Sequence, residues 1–171
     1  LTHQAGMLRY LTGGQVSVPL VIRLPCGAGQ GAGSQHSQAL YSWFAHVPGI
    51  KAALPSSSYE AKGLMKAAIR DPNPVLFFEH KALYRTRWPV PEAYHDADHT
   101  IEFGRAKVHR TGKDITVVAT LTMLHQALAA AQTLAPEGIS LEVIDPRTLV
   151  PFDRETIVES VRKTGRCVVA H

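Results

Sequence analysis

Cysteine is scarce. Only Cys26 and Cys167 occur in 171 residues, far apart and without a Cys-x-x-Cys or a paired-histidine spacing. Neither a disulfide framework nor a zinc site is encoded, and both read as free thiols. No apolar run approaches the roughly 18 residues that a membrane-spanning helix needs, and the first residues do not form the charged-then-apolar pattern of a secretory signal. The chain is therefore expected in the cytosol or inside an organelle, with no membrane partner. Concentrated positive charge is also lacking. The net charge is +4, but the basic residues stand singly among acidic ones rather than in a stripe with aromatics, which argues against nucleic acid. The Walker signature is missing too, because the one glycine-rich loop ends Gly33-Ser-Gln-His36 where Gly-Lys-Ser/Thr is required. There is no low-complexity tract and no internal repeat.

What is present is an ordinary globular composition, 45% hydrophobic and 19% charged. Residues 1–10 read as the second half of a helix that Thr12-Gly13-Gly14 stops, and Arg166 to His171 as a strand. The chain is thus expected to be a segment of a longer protein at both ends. Between them, apolar β-rich residues run from Val16 to Ile22. Helical spacing follows over Ser37–His46, with Leu40, Trp43, Phe44 and Val47 at i, i+3, i+4 and i+7. Ile50–Leu54 is a strand candidate. Ser57 and Glu60 have capping-box spacing, and a helix with Ala61, Leu64, Met65 and Ala68 on its apolar face must stop by Arg70-Asp-Pro-Asn-Pro74. Val75–Glu79 is a buried strand. This alternation predicts a parallel sheet with helices on its faces. Residues 81–107 break the pattern and read as a linker between domains. The run Tyr94–Thr100, with His95, Asp96, Asp98 and His99, reads as a solvated charged loop rather than a metal cluster. A second α/β unit follows: a strand over 114–120, a helix over 123–135, a strand over 139–145, and a helix opened by Asp153 before the last strand.

The most informative stretch is Arg23 to Gln38. Pro25 stops the approach strand from continuing as a central strand, and Gly27, Gly29, Gly31 and Gly33 follow at alternate positions. Such glycines permit positive φ and close approach of another group to the main chain. His36 then falls at or near the predicted N-cap of the helix. An imidazole there faces the positive end of the helix dipole, a setting that favours a neutral ring able to give or take a proton. On residue chemistry alone two roles fit, a hydrogen-bonding side chain at a helix start or a proton-transfer group. Gly27-x-Gly29-x-x-Ala32 also matches the relaxed dinucleotide fingerprint. Against that, Pro25 interrupts the strand-to-loop step, and no acidic residue lies about 20 positions on to bind a ribose.

Several motifs fall in a fixed order: Gly13-Gly14-Gln15, Val18 to Arg23, Gln35-His-Ser-Gln38, Trp43-Phe-Ala-His46 with Pro48-Gly49, Ala61-Lys-Gly-Leu64, Arg70 to Pro74, and Asp145-Pro-Arg-Thr-Leu-Val-Pro151. With them the chain resembles, from end to end, the β subunit of the E1 component of thiamine-diphosphate-dependent 2-oxoacid dehydrogenases acting on pyruvate, branched-chain oxoacids or acetoin. The resemblance implies an α/β fold made of parts of two parallel-sheet domains. Residues 1–86 would be the latter part of a pyrimidine-binding domain, 87–104 a linker, and 105–171 the first part of a transketolase C-terminal-like domain. It further implies an oxidoreductase subunit that shares thiamine diphosphate with an α subunit, the diphosphate and its Mg2+ lying on the α side. A glutamate that activates the cofactor would belong to a region outside this chain, so no cofactor-binding residue is named and the fragment is expected to be inactive alone.

The resemblance places His36 as the catalytic histidine that faces the reacting carbon and the substrate. It implies a structural K+ held largely through main-chain oxygens at Leu20, Ala68, Ile69, Asp71 and Asn73. A helix that ends at Arg70-Asp71 before two prolines does leave unpaired carbonyls at its negative pole, where a hard cation or water can cap it. The implied partners are the α subunit in an α2β2 heterotetramer, a second β subunit and the lipoyl acyltransferase core. Residues 145–151 read as a structural loop. The alternatives are another transketolase-like thiamine-diphosphate enzyme, such as a deoxyxylulose-phosphate synthase, or a non-catalytic assembly fragment.

Overall fold

The computed structural model describes residues 1–171. In chain order its elements are α1 (Ala5–Leu11), β1 (Val21–Cys26), α2 (Tyr41–Ala45), β2 (Lys51–Ala53), α3 (Ser58–Arg70), β3 (Val75–His80), β4 (Lys107–Arg110), β5 (Ile115–Ala119), α4 (Leu121–Leu134), β6 (Leu141–Asp145), β7 (Thr148–Val150), α5 (Arg154–Thr164) and β8 (Cys167–Ala170). They build two four-stranded sheets, ordered β1-β3-β2-β7 and β4-β6-β5-β8.

In the first sheet β1 and β2 both run parallel to β3, Val21 lying opposite Val75 and Lys51 also opposite Val75. In the second, β6 and β8 both run parallel to β5. The α/β alternation read from the sequence is therefore present in both halves. Each sheet also carries an antiparallel edge strand that the periodicity did not predict, β7 on β2 and β4 on β6. Chain length explains β4. A parallel neighbour needs a crossover of about a dozen residues or more, whereas only Thr111–Asp114 separate β4 from β5. Gly112 lets that short link cross the end of β6, since a Cβ there would lie 2.2 Å from the Leu141 carbonyl carbon.

Segment 145–151 is corrected from a loop to a strand that crosses between sheets. The chain leaves the second sheet at Asp145, turns through Pro146-Arg147 and enters the first as β7. Pro25 is also placed differently than expected. β1 runs through it to Cys26, because β1 is the edge strand of its sheet, where a missing N–H is tolerated.

β3 is the centre of the first half. Leu76 and Phe78 face Ile50, Leu54 and Tyr41, while Val75 and Phe77 face Leu64 and Ala68 of α3. Burial on both faces explains why Val75-Leu-Phe-Phe78 is a continuous apolar run instead of an alternating one. Leu121 of the second half joins the first cluster and Ile101 of the connecting segment joins the other. The helix start at Ser57 is as expected, its hydroxyl accepting the Glu60 N–H at 3.3 Å. Glu60 does not complete the box, because its side chain turns inward and is 1% exposed.

That inward turn helps to build a polar junction between the halves. Glu60 Oε1 accepts from Arg147 Nη2 at 3.4 Å and lies 3.7 Å from Lys107 Nζ. Asp145 accepts the Arg147 N–H at 2.8 Å. Trp88 stacks on His125 with ring centroids 4.0 Å apart, and the His125 Nε2–H donates to the Ser56 carbonyl at 2.7 Å. Burial raises the Asp145 carboxyl to about 6, with neighbouring Glu60 adding to the rise while the Ser56 hydroxyl and Arg147 oppose it. Burial pushes His109 down to about 4. Lys107, Arg147 and His125 lower it further and Glu60 opposes.

The two shifts act on stability with opposite sign. Asp145 is raised, so its contribution is present in acid and is lost as pH rises through about 6; His109 is lowered, so its contribution is present above about 6.5 and is lost as pH falls toward 4. His109→Gln removes only the second. Its melting temperature relative to the parent should rise progressively between pH 6.5 and pH 4, as read by thermal melts at four pH values. A constant difference between the two proteins would contradict the assignment.

Candidate functional site

The parallel strands β1 and β3 end side by side and deliver two segments to one edge of the sheet: the glycine-rich loop after Cys26, and His80-Lys81. Carboxyl ends of parallel strands are where α/β sheets collect ligands, because the following loops diverge there. Gly27 has φ +83°, and a Cβ on it would lie 2.1 Å from His80 Nε2. Of the close approaches expected along the loop, this is the one found. Gly29 and Gly31 have open space around them and positive φ, so they serve the turn geometry alone.

The loop closes with a 3-10 turn over Ser34–His36, and Ser37 Oγ donates to the Gly33 carbonyl at 2.7 Å. This overturns the expected helix start at Ser37. α2 begins only at Tyr41 and is five residues long. A serine bonded back to the preceding turn offers the backbone an alternative to the helix. Trp43, counted on the apolar face, is 71% exposed. His36 therefore does not cap a helix, and the dipole argument for it lapses. Its place rests on the loop instead.

His36 lines a cavity of about 400 Å3 together with Gln35, Gln38, Lys81, Cys26 and Phe78. Phe44 stands beside Phe78, ring centroids 6.1 Å apart, and gives an apolar wall. The Lys81 ammonium donates to the His36 carbonyl, and Gln30 Nε2 donates to the Lys81 carbonyl at 2.8 Å. Cys26 is 2% exposed, and burial pushes its thiol up to about 11, so it is no nucleophile near neutral pH. Burial lowers His80, and adjacent Lys81 lowers it further. Behind the site Arg23 holds both oxygens of Glu79 at 3.0 Å, and Tyr84 donates to the same carboxylate at 3.1 Å. Lys81 and His80 went unnoticed in the sequence. Their position directly after a buried parallel strand was the available signal.

The five residues expected around a cation lie on adjoining segments. Val18 N–H donates to the Pro72 carbonyl at 3.0 Å, and Val75 N–H to the Leu20 carbonyl at 2.8 Å. The Ala68 carbonyl caps the helix end by accepting the Asp71 N–H at 3.2 Å. The carbonyls of Ile69, Asp71 and Asn73 accept no main-chain hydrogen bond. The Asp71 carboxylate is taken up internally, by Lys51 on one oxygen and by the Asn73 N–H and Nδ2 on the other, at 2.9 and 3.0 Å. Burial acts to raise that carboxyl, but these donors outweigh it and hold it below the usual range. What remains for a cation is a set of main-chain oxygens at the negative end of α3. No group of three or more His, Cys, Asp or Glu side chains is placed to hold a metal. In the loop that includes His95, Asp96 and Asp98, His99 instead stacks on Tyr59 with centroids 4.5 Å apart.

Comparison with known proteins bears on both halves. The transketolase pyrimidine binding domain matches residues 2–87 and the transketolase C-terminal domain matches residues 104–171. The chain is 48% identical over 168 residues to the mitochondrial pyruvate dehydrogenase E1 component subunit beta-2 of Oryza sativa subsp. japonica, covering 98% of this chain and 45% of that protein. It is 49% identical over 167 residues to the acetoin:2,6-dichlorophenolindophenol oxidoreductase subunit beta of Cupriavidus necator, covering 98% of this chain and 48% of that one. Among solved structures, a split gene transketolase described as an inactive beta4 tetramer superposes with a TM-score of 0.70 at 30% identity, over 99% of this chain and 54% of its own. The chain thus spans about half the length of the curated relatives it matches. No helix is long and apolar enough to cross a membrane. Two consecutive domain matches, and a likeness in sequence to pyruvate and acetoin dehydrogenase β subunits, show that the chain belongs to the transketolase family and carries its pyrimidine-binding and C-terminal domains.

Proposed function

We propose that this chain is part of an E1 β subunit of a 2-oxoacid dehydrogenase complex, acting on pyruvate, and that its His36 loop forms one wall of a thiamine-diphosphate site. The observation that carries the reading is the placement of His36 at the carboxyl edge of the first sheet, on a cavity of about 400 Å3 with one apolar wall and a polar rim. Those residues suit a flat heteroaromatic cofactor. Phe44 and Phe78 offer a surface for a ring, and Gln35, Gln38 and His36 offer donors and acceptors. When bound, thiamine diphosphate supplies the electron sink for loss of CO2 from a 2-oxoacid. His36 would move a proton at a ring nitrogen during decarboxylation and acyl transfer to lipoyl groups, which needs an imidazole open to the cavity.

In this reading the diphosphate and Mg2+ are held by an α subunit in an α2β2 heterotetramer. The cofactor-activating glutamate lies outside residues 1–171, and a second β subunit and the lipoyl acyltransferase core are further partners. K+ would sit on the main-chain oxygens of Leu20, Ala68, Ile69, Asp71 and Asn73, where the Ile69, Asp71 and Asn73 carbonyls, without main-chain donors, meet the negative end of α3. The location would be the mitochondrial matrix for a eukaryotic source, as for the rice relative, or the cytoplasm for a bacterial one. Another transketolase-like thiamine-diphosphate enzyme is the second reading, favoured by the split gene transketolase likeness.

Reconstitution separates them. The full-length chain, mixed with an α subunit, thiamine diphosphate and Mg2+, should reduce an artificial acceptor with pyruvate as donor, and neither subunit should do so alone. Residues 1–171 in place of the full-length chain should give no turnover. Ketol transfer between sugar phosphates by the same mixture, with no turnover of pyruvate, would favour the transketolase reading instead.

A further inference from the structure

Ten residues, 27–36, make up the loop that ends in the His36 imidazole, and four of them are glycines with positive φ. Such a loop has a large conformational entropy to lose on ordering, and little of its own to offset it. A Cβ on Gly29 or Gly31 would meet nothing within 4 Å, and most of the segment is exposed. Yet a proton-transfer group must be held within about an ångström of its working position, because misplacement on that scale can cost ~100-fold in rate.

The hydrogen bonds that leave this loop converge on one residue. The Lys81 ammonium donates to the His36 carbonyl at the loop's far end, and Gln30 Nε2 donates to the Lys81 carbonyl from its middle. The near end is pinned by the His80 ring against Gly27. Lys81 itself follows directly on β3, the most buried strand of the sheet, so the anchor is rigid where the loop is not.

We propose that Lys81 is a positioning residue: with Gln30 and His80 it staples the glycine-rich loop to the end of β3 and thereby fixes the His36 imidazole over the cavity. The catalytic consequence rests on His36 being the catalytic group of the proposed E1 site, whereas the staple itself does not.

Two readouts test it in the full-length chain, assembled with its α subunit for the kinetic arm. Lys81→Met should lower kcat by about 10- to 100-fold with little change in KM. Lys81→Arg, which keeps a cationic donor, should restore most of the rate, and Gln30→Ala should fall between. The second readout needs no turnover. Cys26 is buried and lines the same cavity as His36, so its alkylation by iodoacetamide, read at that residue by peptide mass mapping, reports loop opening. Lys81→Met should accelerate that reaction about tenfold at an unchanged melting temperature. Electrostatics alone predicts the reverse, since the Lys81 charge lowers the Cys26 thiol and its removal would slow alkylation.

Unchanged alkylation and kcat in Lys81→Met would overturn the staple, as would an arginine variant as impaired as the methionine one. The parent reading fails separately. If His36→Ala retains full activity, the imidazole is not catalytic and the claimed role of Lys81 in catalysis falls with it. If His36→Ala is inactive while Lys81→Met is fully active, only the positioning role is overturned.

Discussion

Arg147→Met should lower the unfolding free energy of the chain by about 3 kcal/mol, the lower end of what removing one partner of a buried ion pair costs. Arg147 has an 11% exposed side chain, and it is the nearest cation to Glu60, whose side chain is 1% exposed. Methionine fills much of the arginine volume, so the loss comes from the carboxylate left behind rather than from a void. Lys107 remains 3.7 Å from the same oxygen but is 40% exposed, and it compensates only in part. That is why the lower end is expected. Arg147 also has φ +60°, held by its N–H on Asp145 and by its carbonyl, which accepts the Leu54 N–H at 2.8 Å. Methionine keeps both main-chain bonds. Pairing the change with Glu60→Gln should recover part of the loss, because no unpaired charge then stays buried. Urea denaturation with a common slope would read both values. A single variant within about 0.5 kcal/mol of the parent would show that water solvates this junction.

His36→Ala in the reconstituted enzyme should reduce kcat by about 100- to 10,000-fold, the range for a positioned acid-base group. The same change should leave stability within about 0.5 kcal/mol, since the side chain is exposed at the cavity mouth and lies outside the three apolar clusters. This contrast gives the prediction its force, because lost activity at an unchanged melting temperature cannot come from misfolding. His36→Gln keeps a donor and an acceptor but cannot shuttle a proton near neutral pH, so it should be nearly as impaired as alanine. Full activity in the glutamine variant would reduce His36 to a hydrogen-bonding side chain, one of the two roles its chemistry allows.

Much of this architecture is local in origin and could be read along the chain. The start of α3 at Ser57 and its stop before Pro72 follow from hydroxyl capping and from proline's lack of an N–H. β3 follows from an apolar run too short for a helix and bounded by Pro74. The Gln35-His-Ser-Gln38 motif is legible in the chain, and its Gln35, His36 and Gln38 line a cavity in the fold. Where local signals competed, the reading failed: the spacing of Leu40, Trp43, Phe44 and Val47 suggested a helix from Ser37, but Ser37 is bonded back to Gly33 and the helix opens at Tyr41. β4 and β7, of four and three residues, are too short to show any period at all.

Periodicity, caps and turn residues thus dictate which segments are helices and strands, and a motif in a glycine-rich loop names His36, because these depend on neighbours within a few positions. Pairing across long separations is a different matter. That β7 closes the first sheet depends on a strand nearly 100 residues earlier, for Ala52 lies opposite Val150. That Glu60, Lys107, His109, Asp145 and Arg147 share one buried junction depends on how the two sheets meet. That Lys81 holds the His36 loop depends on β1 and β3 ending together at one edge. Each is set by the free energy of burying whole surfaces against one another, to which single residues contribute only after the chain has folded.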